Sequence, residues 1–174
     1  MYFAIPGAGT TVALAVRVMK TAHSRPQRVQ QRLAEAYLEL LKLVEREGRW
    51  VQQGIEHLEA SAYDKYDFVN AFQVRTVSEP TKMDAVTMVA IVAAFGSQSV
   101  RECQKAWRMV VDDIDLEHRI LQWNWEQNGD PEALITLDEQ KKLQSELKPL
   151  ELTTRQALAD AIGAELNESL LPRR

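Results

Sequence analysis

The sequence predicts an all-α protein: an elongated antiparallel helical bundle with two long helices and two or three shorter ones. Apolar residues recur at alternating steps of three and four over most of the chain, the spacing that aligns side chains along one face of a helix. Only seven Gly and six Pro occur in 174 residues, and most lie between the periodic segments. The hydrophobic fraction of 45% and the charged fraction of 26% are typical of one soluble globular domain.

The charge is distributed unevenly along the chain. Residues 1–34 contain five basic residues and no Asp or Glu, whereas the net charge of the whole chain is −4. The other 140 residues therefore carry −9. This pattern argues against a nucleic-acid-binding body, because phosphate binding requires a broad basic face.

The first 16 residues carry no charge and are interrupted by Pro6, Gly7 and Gly9. A membrane-spanning helix needs about 20 mostly apolar residues, so a partial anchor, an interfacial segment and a disordered end all remain open. Basic residues follow at once, as in the cytoplasmic flank of an anchor, although a solvated basic helix start has the same composition. The five are Arg17, Lys20, Arg25, Arg28 and Arg32.

We divide the chain into three parts on this basis. Residues 1–25 form an apolar and then basic N-terminal arm, residues 26–168 form a single helical-bundle domain, and residues 169–174 are a tail that should fray.

The first long helix is predicted over 26–62, with Pro26 well placed in its first turn. Charged residues between the apolar ones, including Glu45 and Glu47, are expected to face water. Residues 63–79 lose the helical rhythm and are rich in aromatics; we interpret them as a connection that packs on the bundle, with an aromatic binding surface as the alternative. The apolar positions of the helix are Val29, Leu33, Tyr37, Leu40, Val44, Val51, Ile55 and Leu58.

A second helix is predicted over 80–95, and it is apolar on nearly every side. We expect it to be central and largely buried, although its methionines also suit a groove for partners. Gly96 is predicted to end it in the left-handed conformation. Ser97 and Ser99 are both candidate caps of the next helix, and Ser99 has capping-box spacing to Glu102.

The second long helix is predicted over 98–127 and carries the clearest apolar stripe in the chain. We expect the two long helices to pair along their stripes as in a coiled coil. The only cysteine, Cys103, lies on this stripe, where a small buried hydrophobe is expected rather than a reactive thiol. The stripe consists of Val100, Cys103, Trp107, Val110, Ile114 and Leu121, with Glu117 as its one charged member.

Two shorter helices are predicted after the turn at 128–131, over 137–148 and 154–167. Thr136 and Glu139 have the spacing of a capping box for the first of them. Pro149 is predicted to break the chain between the two, and Thr153 or Thr154 to start the second.

Residues 92–101 contain the sequence Phe-Gly-Ser-x-x-Val-Arg, from Phe95 to Arg101. This segment resembles the helix junction of a group of uncharacterised helical proteins of actinobacteria, and the stretch 157–166 is similar to their C-terminal helix. The resemblance implies a helical cytoplasmic body behind a membrane segment. It implies no activity, cofactor or site residue.

Asp115 and His118 are the only acidic residue and histidine in the chain at the i, i+3 spacing that places two metal ligands on one helix face. A dinuclear carboxylate site needs a second such pair on a facing helix. We therefore interpret this region as a solvated face with i, i+4 ion pairs, Arg108 with Asp112 and Asp115 with Arg119. A metal-dependent enzyme with a carboxylate/His site around Asp115 and His118 is the alternative.

The functional hypothesis is a non-enzymatic helical interaction or scaffold protein, tethered at the cytoplasmic face of the membrane by its basic arm. Its partner would be another protein or a second copy of the chain, and no cofactor is expected. A weak contact of nucleic acid with the arm, from Arg17 to Arg32, is a further alternative.

Overall fold

The computed structural model of the protein describes residues 25–61, 77–128 and 142–170, and every regular element in these ranges is helical. The elements are α1 (Arg25–Ser61), α2 (Lys82–Phe95), α3 (Gln98–Asn128), and a π-helical segment (Lys142–Leu147) that continues directly into α4 (Lys148–Leu170). The prediction of an all-α bundle is confirmed, and the first three helices begin and end within two residues of the predicted bounds. The uncharged N-terminal run, most of the aromatic connection and the capping box at Thr136 lie outside the described residues.

The chain divides into two compact units. Described residues of the first unit are α1 as far as Glu45, the segment Thr81–Lys105, and α4 from Arg155 onward. The second unit takes α1 from Arg46, α3 from Ala106 and the helical chain up to Thr154.

Helices α1 and α4 run antiparallel in the first unit. Tyr37 lies beside Glu165, whereas Glu45, two turns later in α1, accepts a hydrogen bond from Arg155, ten residues earlier in α4. The core of this unit is apolar because the three-four repeat directs one stripe of each helix inward. It consists of Ala34, Tyr37, Leu40, Leu43, Val44, Met88, Val92, Val100, Leu158, Ile162 and Leu166.

The second unit has the same antiparallel arrangement of α1 against α4, because Gln52 bonds Glu151 while Glu56 lies by Lys148. The predicted stripe of α3 is confirmed in both units, with Cys103 half-buried. Glu117, its charged member, is paired with Lys142. The apolar core of the second unit consists of Val51, Ile55, Trp107, Val110, Val111, Ile114, Leu121, Leu143 and Leu147.

Helix α2 is not largely buried, and the prediction of a central helix is wrong. Only Met88 and Val92, four residues apart on one side, are buried, whereas Met83, Val86 and Val89 are 60–70% exposed. A helix that is apolar all round gives no periodic signal for the side that faces the core. Met88 and Val92 face the core, Ala85 and Ile91 are half-buried, and the other apolar side chains of α2 are exposed.

The joint between α2 and α3 is closed by glycine, but not for the predicted reason. Gly96 has φ −69° and ψ 131°, which is extended rather than left-handed. A Cβ at this position would lie 2.6 Å from the carbonyl oxygen of Val92, so only glycine fits without a shift. Ser97, not Ser99, caps α3, since its hydroxyl accepts a hydrogen bond from the Val100 N–H at 3.3 Å.

Pro149 does not break the chain, and the prediction of two separate C-terminal helices is wrong. It is the second residue of α4, directly after the π-helical segment, so the helical backbone continues through the proline. Thr153 and Thr154 lie inside the helix, because their hydroxyls donate to the carbonyls of Pro149 and Leu150, four residues earlier, at 2.8 Å each.

Candidate interaction surfaces

The first candidate surface is the exposed side of α2, which we call the α2 outer face. Helix α2 is anchored at its start by a capping box, in which Thr81 and Asp84 each accept a hydrogen bond from the other's backbone N–H. Lys82, the first residue of α2, is exposed at the N-terminal end of this face, four and seven residues before Val86 and Val89; from Met83 to Ala94 the face carries no charged residue. Its members are Met83, Val86, Val89, Ala90, Ala93 and Ala94.

A second apolar surface lies on α3, on the side opposite its buried stripe; we call it the α3 outer stripe. Met109, Leu116, Ile120 and Trp123 are 59%, 55%, 37% and 61% exposed. This surface was not predicted from the sequence, because the inner stripe alone was enough to predict the helix and the opposite side was not considered. The signal was present in the spacing of Met109, Leu116 and Trp123, which are seven residues apart and therefore share one face.

A buried carboxylate organises the interior of the second unit. Glu151 is fully buried, and it accepts hydrogen bonds from the indole Nε1 of Trp107 at 2.9 Å and from Nε2 of Gln52 at 2.7 Å. Gln52 also donates to the backbone carbonyl of Lys148 at 3.2 Å. Because each carboxylate oxygen is held by a side chain from a different helix, the cluster joins α1, α3 and α4. Its chemistry is that of a structural anchor.

Glu47 is also buried in this unit, although the sequence placed it on the wet side of α1. Its carboxylate accepts a hydrogen bond from the Arg108 guanidinium at 2.5 Å, and Arg108 also pairs with Asp112 at 2.8 Å. A charged residue next to the apolar stripe of a helix becomes buried when another helix packs on that side, as α3 does at Glu47. The three-four pattern of one helix does not contain that information.

Two polar contacts lie at the α2–α3 joint in the first unit. The Tyr37 hydroxyl donates to the carbonyl of Phe95 at 2.9 Å, and the Glu165 carboxylate accepts a hydrogen bond from the Ser97 N–H at 3.2 Å. Burial, and then the neighbouring Glu165 carboxylate, raise the pKa of Tyr37 well above its ordinary value. The hydroxyl therefore stays protonated and continues to donate its hydrogen bond.

Asp115 and His118 lie in different surroundings. The Asp115 carboxylate pairs with Arg119 at 2.6 Å, while the His118 side chain is only 6% exposed. Both predicted i, i+4 ion pairs are confirmed. Within residues 25–61, 77–128 and 142–170, no group of three or more His, Cys, Asp or Glu side chains could hold a metal ion.

The basic arm is described only in part. Arg17 and Lys20 lie outside the described residues, and Arg25 begins α1, where the side chains of Arg28 and Arg32 are exposed. No acidic residue occurs in the first turn of α1. None of the described helices combines the length and the apolar character needed to cross a bilayer.

No family model matches this chain, and neither a curated protein nor a solved structure matches it. The resemblance to actinobacterial helical proteins at Phe95–Arg101 therefore stays a prediction. Arguments about function come from the surfaces and contacts described above.

Proposed function

We propose that this protein is a non-enzymatic interaction protein whose α2 outer face binds an amphipathic helix of a partner protein. One observation carries the proposal: Met88 and Val92 are the only fully buried side chains of α2, while Met83, Val86 and Val89 remain 60–70% exposed. Large exposed apolar patches on folded proteins are commonly sites of interaction.

The composition of the face indicates the chemistry of its partner. Because Lys82 at the N-terminal end is the one charged residue of the face, recognition rests mainly on apolar contact, worth about 25 cal/mol for each Å² removed from water. The exposed Ala90, Ala93 and Ala94 allow a second helix to approach the backbone of α2 closely. The 14 residues of α2 give about 21 Å of helix at 1.5 Å per residue, enough for apolar anchors on four successive turns of a partner helix.

The proposal can be tested by site-specific photo-crosslinking of the full chain in its own cells. A benzophenone amino acid replaces Val86 in one variant and Asp160, an exposed residue of α4 in the same unit, in the control. We expect a discrete heterologous adduct at Val86 and none at Asp160. The protein in that adduct is then purified and titrated against the wild type, Val86→Lys and Asp160→Lys.

A loss of binding by roughly tenfold or more in Val86→Lys, with Asp160→Lys unchanged, would support the proposal, because a lysine on the face leaves a charge in an apolar contact. Equal adducts at the two positions would contradict it. So would an adduct at Val86 that contains only this chain or only lipid.

We also propose that the basic arm holds the protein at the anionic cytoplasmic face of the membrane. The observation in favour is the exposure of Arg28 and Arg32 at the start of α1, continuing a segment without acidic residues. A basic residue near an anionic bilayer contributes about 1 kcal/mol to binding.

Vesicle sedimentation of the full chain tests the tether. Arg28→Gln with Arg32→Gln should weaken binding to phosphatidylserine-containing vesicles by roughly 30-fold, since two contacts of about 1 kcal/mol each are lost. The matched control, Arg101→Gln with Lys105→Gln, removes two exposed charges from α3 and should have little effect. Equal loss in both pairs, or tighter salt-sensitive retention on DNA than on vesicles, would count against a membrane tether.

A further inference from the structure

The α3 outer stripe is a separate surface from the α2 outer face and lies wholly in the second unit. Met109, Leu116, Ile120 and Trp123 expose between 37% and 61% of their surface. Trp107, Ile114 and Leu121 on the opposite side of the same helix are fully buried. Helix α3 is therefore apolar on two opposite sides, and only the inner one is covered by the described helices.

The outer stripe has the periodicity of a helix-pairing seam. Met109, Leu116 and Trp123 repeat at intervals of seven, and Ile120 lies four residues after Leu116, whereas the equivalent position four residues after Met109 is the exposed Asp113 at the edge of the stripe. A seven-residue repeat keeps side chains facing a neighbouring helix over successive turns. Leu116 lies at the midpoint, with seven residues to Met109 and seven to Trp123.

Charged residues along one flank of the stripe make it complementary to itself in one direction only. Asp112 and Arg119 share that flank, seven residues apart, with side chains 59% and 74% exposed. Their described pairs are with Arg108 and Asp115 of the same helix, so both charges stay at the surface. In a parallel pair this flank of one helix would face the opposite flank of the other, so Asp112 and Arg119 of the two copies would not meet. Two stripes reversed about Leu116 place Arg119 of one beside Asp112 of the other.

We infer that the α3 outer stripe binds the same stripe of a second copy of this chain, antiparallel about a two-fold axis at Leu116. Leu116 then packs on the second copy's Leu116, and Met109 packs on the second copy's Trp123, a favourable contact of sulfur with an aromatic ring. Arg119 pairs across the axis with the second copy's Asp112. Self-association at the α3 outer stripe extends the interaction role proposed for the α2 outer face. The two surfaces are separate, so either proposal can fail without the other.

The exposed area sets the strength of the dimer. The four apolar side chains expose on the order of 400 Å² per copy, taking about 150–250 Å² for each full side chain. Stable interfaces bury about 800 Å² per partner. Even with the charged side chains on the flank, the area buried per copy stays below that of a stable interface. We therefore expect a weak, concentration-dependent dimer with a dissociation constant on the order of 10–100 μM.

Sedimentation equilibrium of the full chain over a range spanning these concentrations tests the inference. Leu116→Lys should raise the dissociation constant by roughly 30-fold or more, because it places two like charges at the axis. Val86→Lys, the variant that disrupts the α2 outer face, should leave it unchanged. A chain that stays monomeric throughout, or one whose dimer is lost in Val86→Lys and kept in Leu116→Lys, would overturn the inference.

Disulfide crosslinking tests the direction of the pairing, with Cys103→Ser as the background and helix content checked by circular dichroism. Leu116→Cys should crosslink to itself. Met109→Cys should not, but it should crosslink to Trp123→Cys when the two chains are mixed. Self-crosslinking of Met109→Cys would indicate a parallel pair and contradict the antiparallel register.

Discussion

The two units bury their polar groups in different ways. In the first, Tyr37 and Glu165 meet backbone groups at the α2–α3 joint, where a helix ends and the next begins. In the second, Glu151 is fully buried in mid-bundle and is held by the side chains of Trp107 and Gln52. The contacts of Tyr37 and Glu165 complete a joint that local residues already form. The hydrogen bonds of Glu151, in contrast, link three helices.

The difference teaches where each unit is vulnerable. Losing a contact at a joint leaves the capping and apolar packing around it in place. Losing the central acceptor of a buried cluster leaves donors without partners in an apolar interior, which costs about 1–3 kcal/mol for each.

The largest effect is expected from Glu151→Ala, which removes the acceptor for both Trp107 and Gln52. We expect the free energy of unfolding, measured with urea, to fall by about 3–5 kcal/mol. Glu151→Gln keeps one acceptor oxygen and should lose about 1–2 kcal/mol. The control Glu146→Ala changes an exposed glutamate one turn earlier and should stay within about 0.5 kcal/mol. If Glu151→Ala lowered the free energy of unfolding no more than Glu146→Ala does, the buried cluster would not stabilise the second unit and the contrast between the units would be wrong.

Gly96→Ala should have the next largest effect, because the new Cβ would lie 2.6 Å from the Val92 carbonyl oxygen. We expect a loss of about 1–3 kcal/mol of unfolding free energy. Gly96→Asn is the informative control. Asparagine tolerates the left-handed conformation but carries the same Cβ, so it should be at least as destabilising as alanine. Wild-type stability in the asparagine variant would mean that the joint is left-handed after all.

Tyr37→Phe should lose about 1 kcal/mol at neutral pH, since the Phe95 carbonyl loses its side-chain donor. The effect should also change with pH. Tyrosine in the unfolded chain ionises near pH 10, whereas the pKa of Tyr37 in the folded chain is raised by burial and by Glu165.

The stability from the raised pKa of Tyr37 is therefore fully present below about pH 10 and is lost as pH rises further, with a slope approaching 1.4 kcal/mol per pH unit. Urea unfolding at pH 9 and pH 11 should show a steeper fall in the wild type than in Tyr37→Phe. Parallel profiles would mean that this hydroxyl is accessible to ionisation.

The ion pairs should again differ between the units, and the smallest effect of all is expected from the more exposed pair. Double-mutant cycles with Gln in place of Glu and Met in place of Arg measure the coupling of each pair. Glu45–Arg155, whose carboxylate is over a third exposed, should contribute about 0.5 kcal/mol. Glu47–Arg108, with a buried carboxylate, should contribute about 1–2 kcal/mol. A larger coupling energy for Glu45–Arg155 than for Glu47–Arg108 would contradict this expectation.

Much of the fold could be predicted because the signals are local. The inner stripe of α3, the start of α2 near Thr81 and the stop at Gly96 each depend on residues within a few turns. The burial of Glu47 and Glu151 could not be predicted in the same way, because it depends on which helix packs beside each carboxylate. The outer stripe of α3 lies between the two cases: its seven-residue spacing is in the sequence, but its exposure depends on the neighbouring helices.

By itself, the sequence determined the helical class, the bounds of the first three helices and the inner stripe of α3. The reason is that helix periodicity, capping and glycine stops are properties of neighbouring residues. Only the tertiary structure decided that α2 exposes most of its apolar surface, that Pro149 lies within a continuous helical run, and that Glu151 is a buried anchor. Each of these depends on which faces meet across the bundle, and a repeat of three and four residues does not encode which partner a face will find.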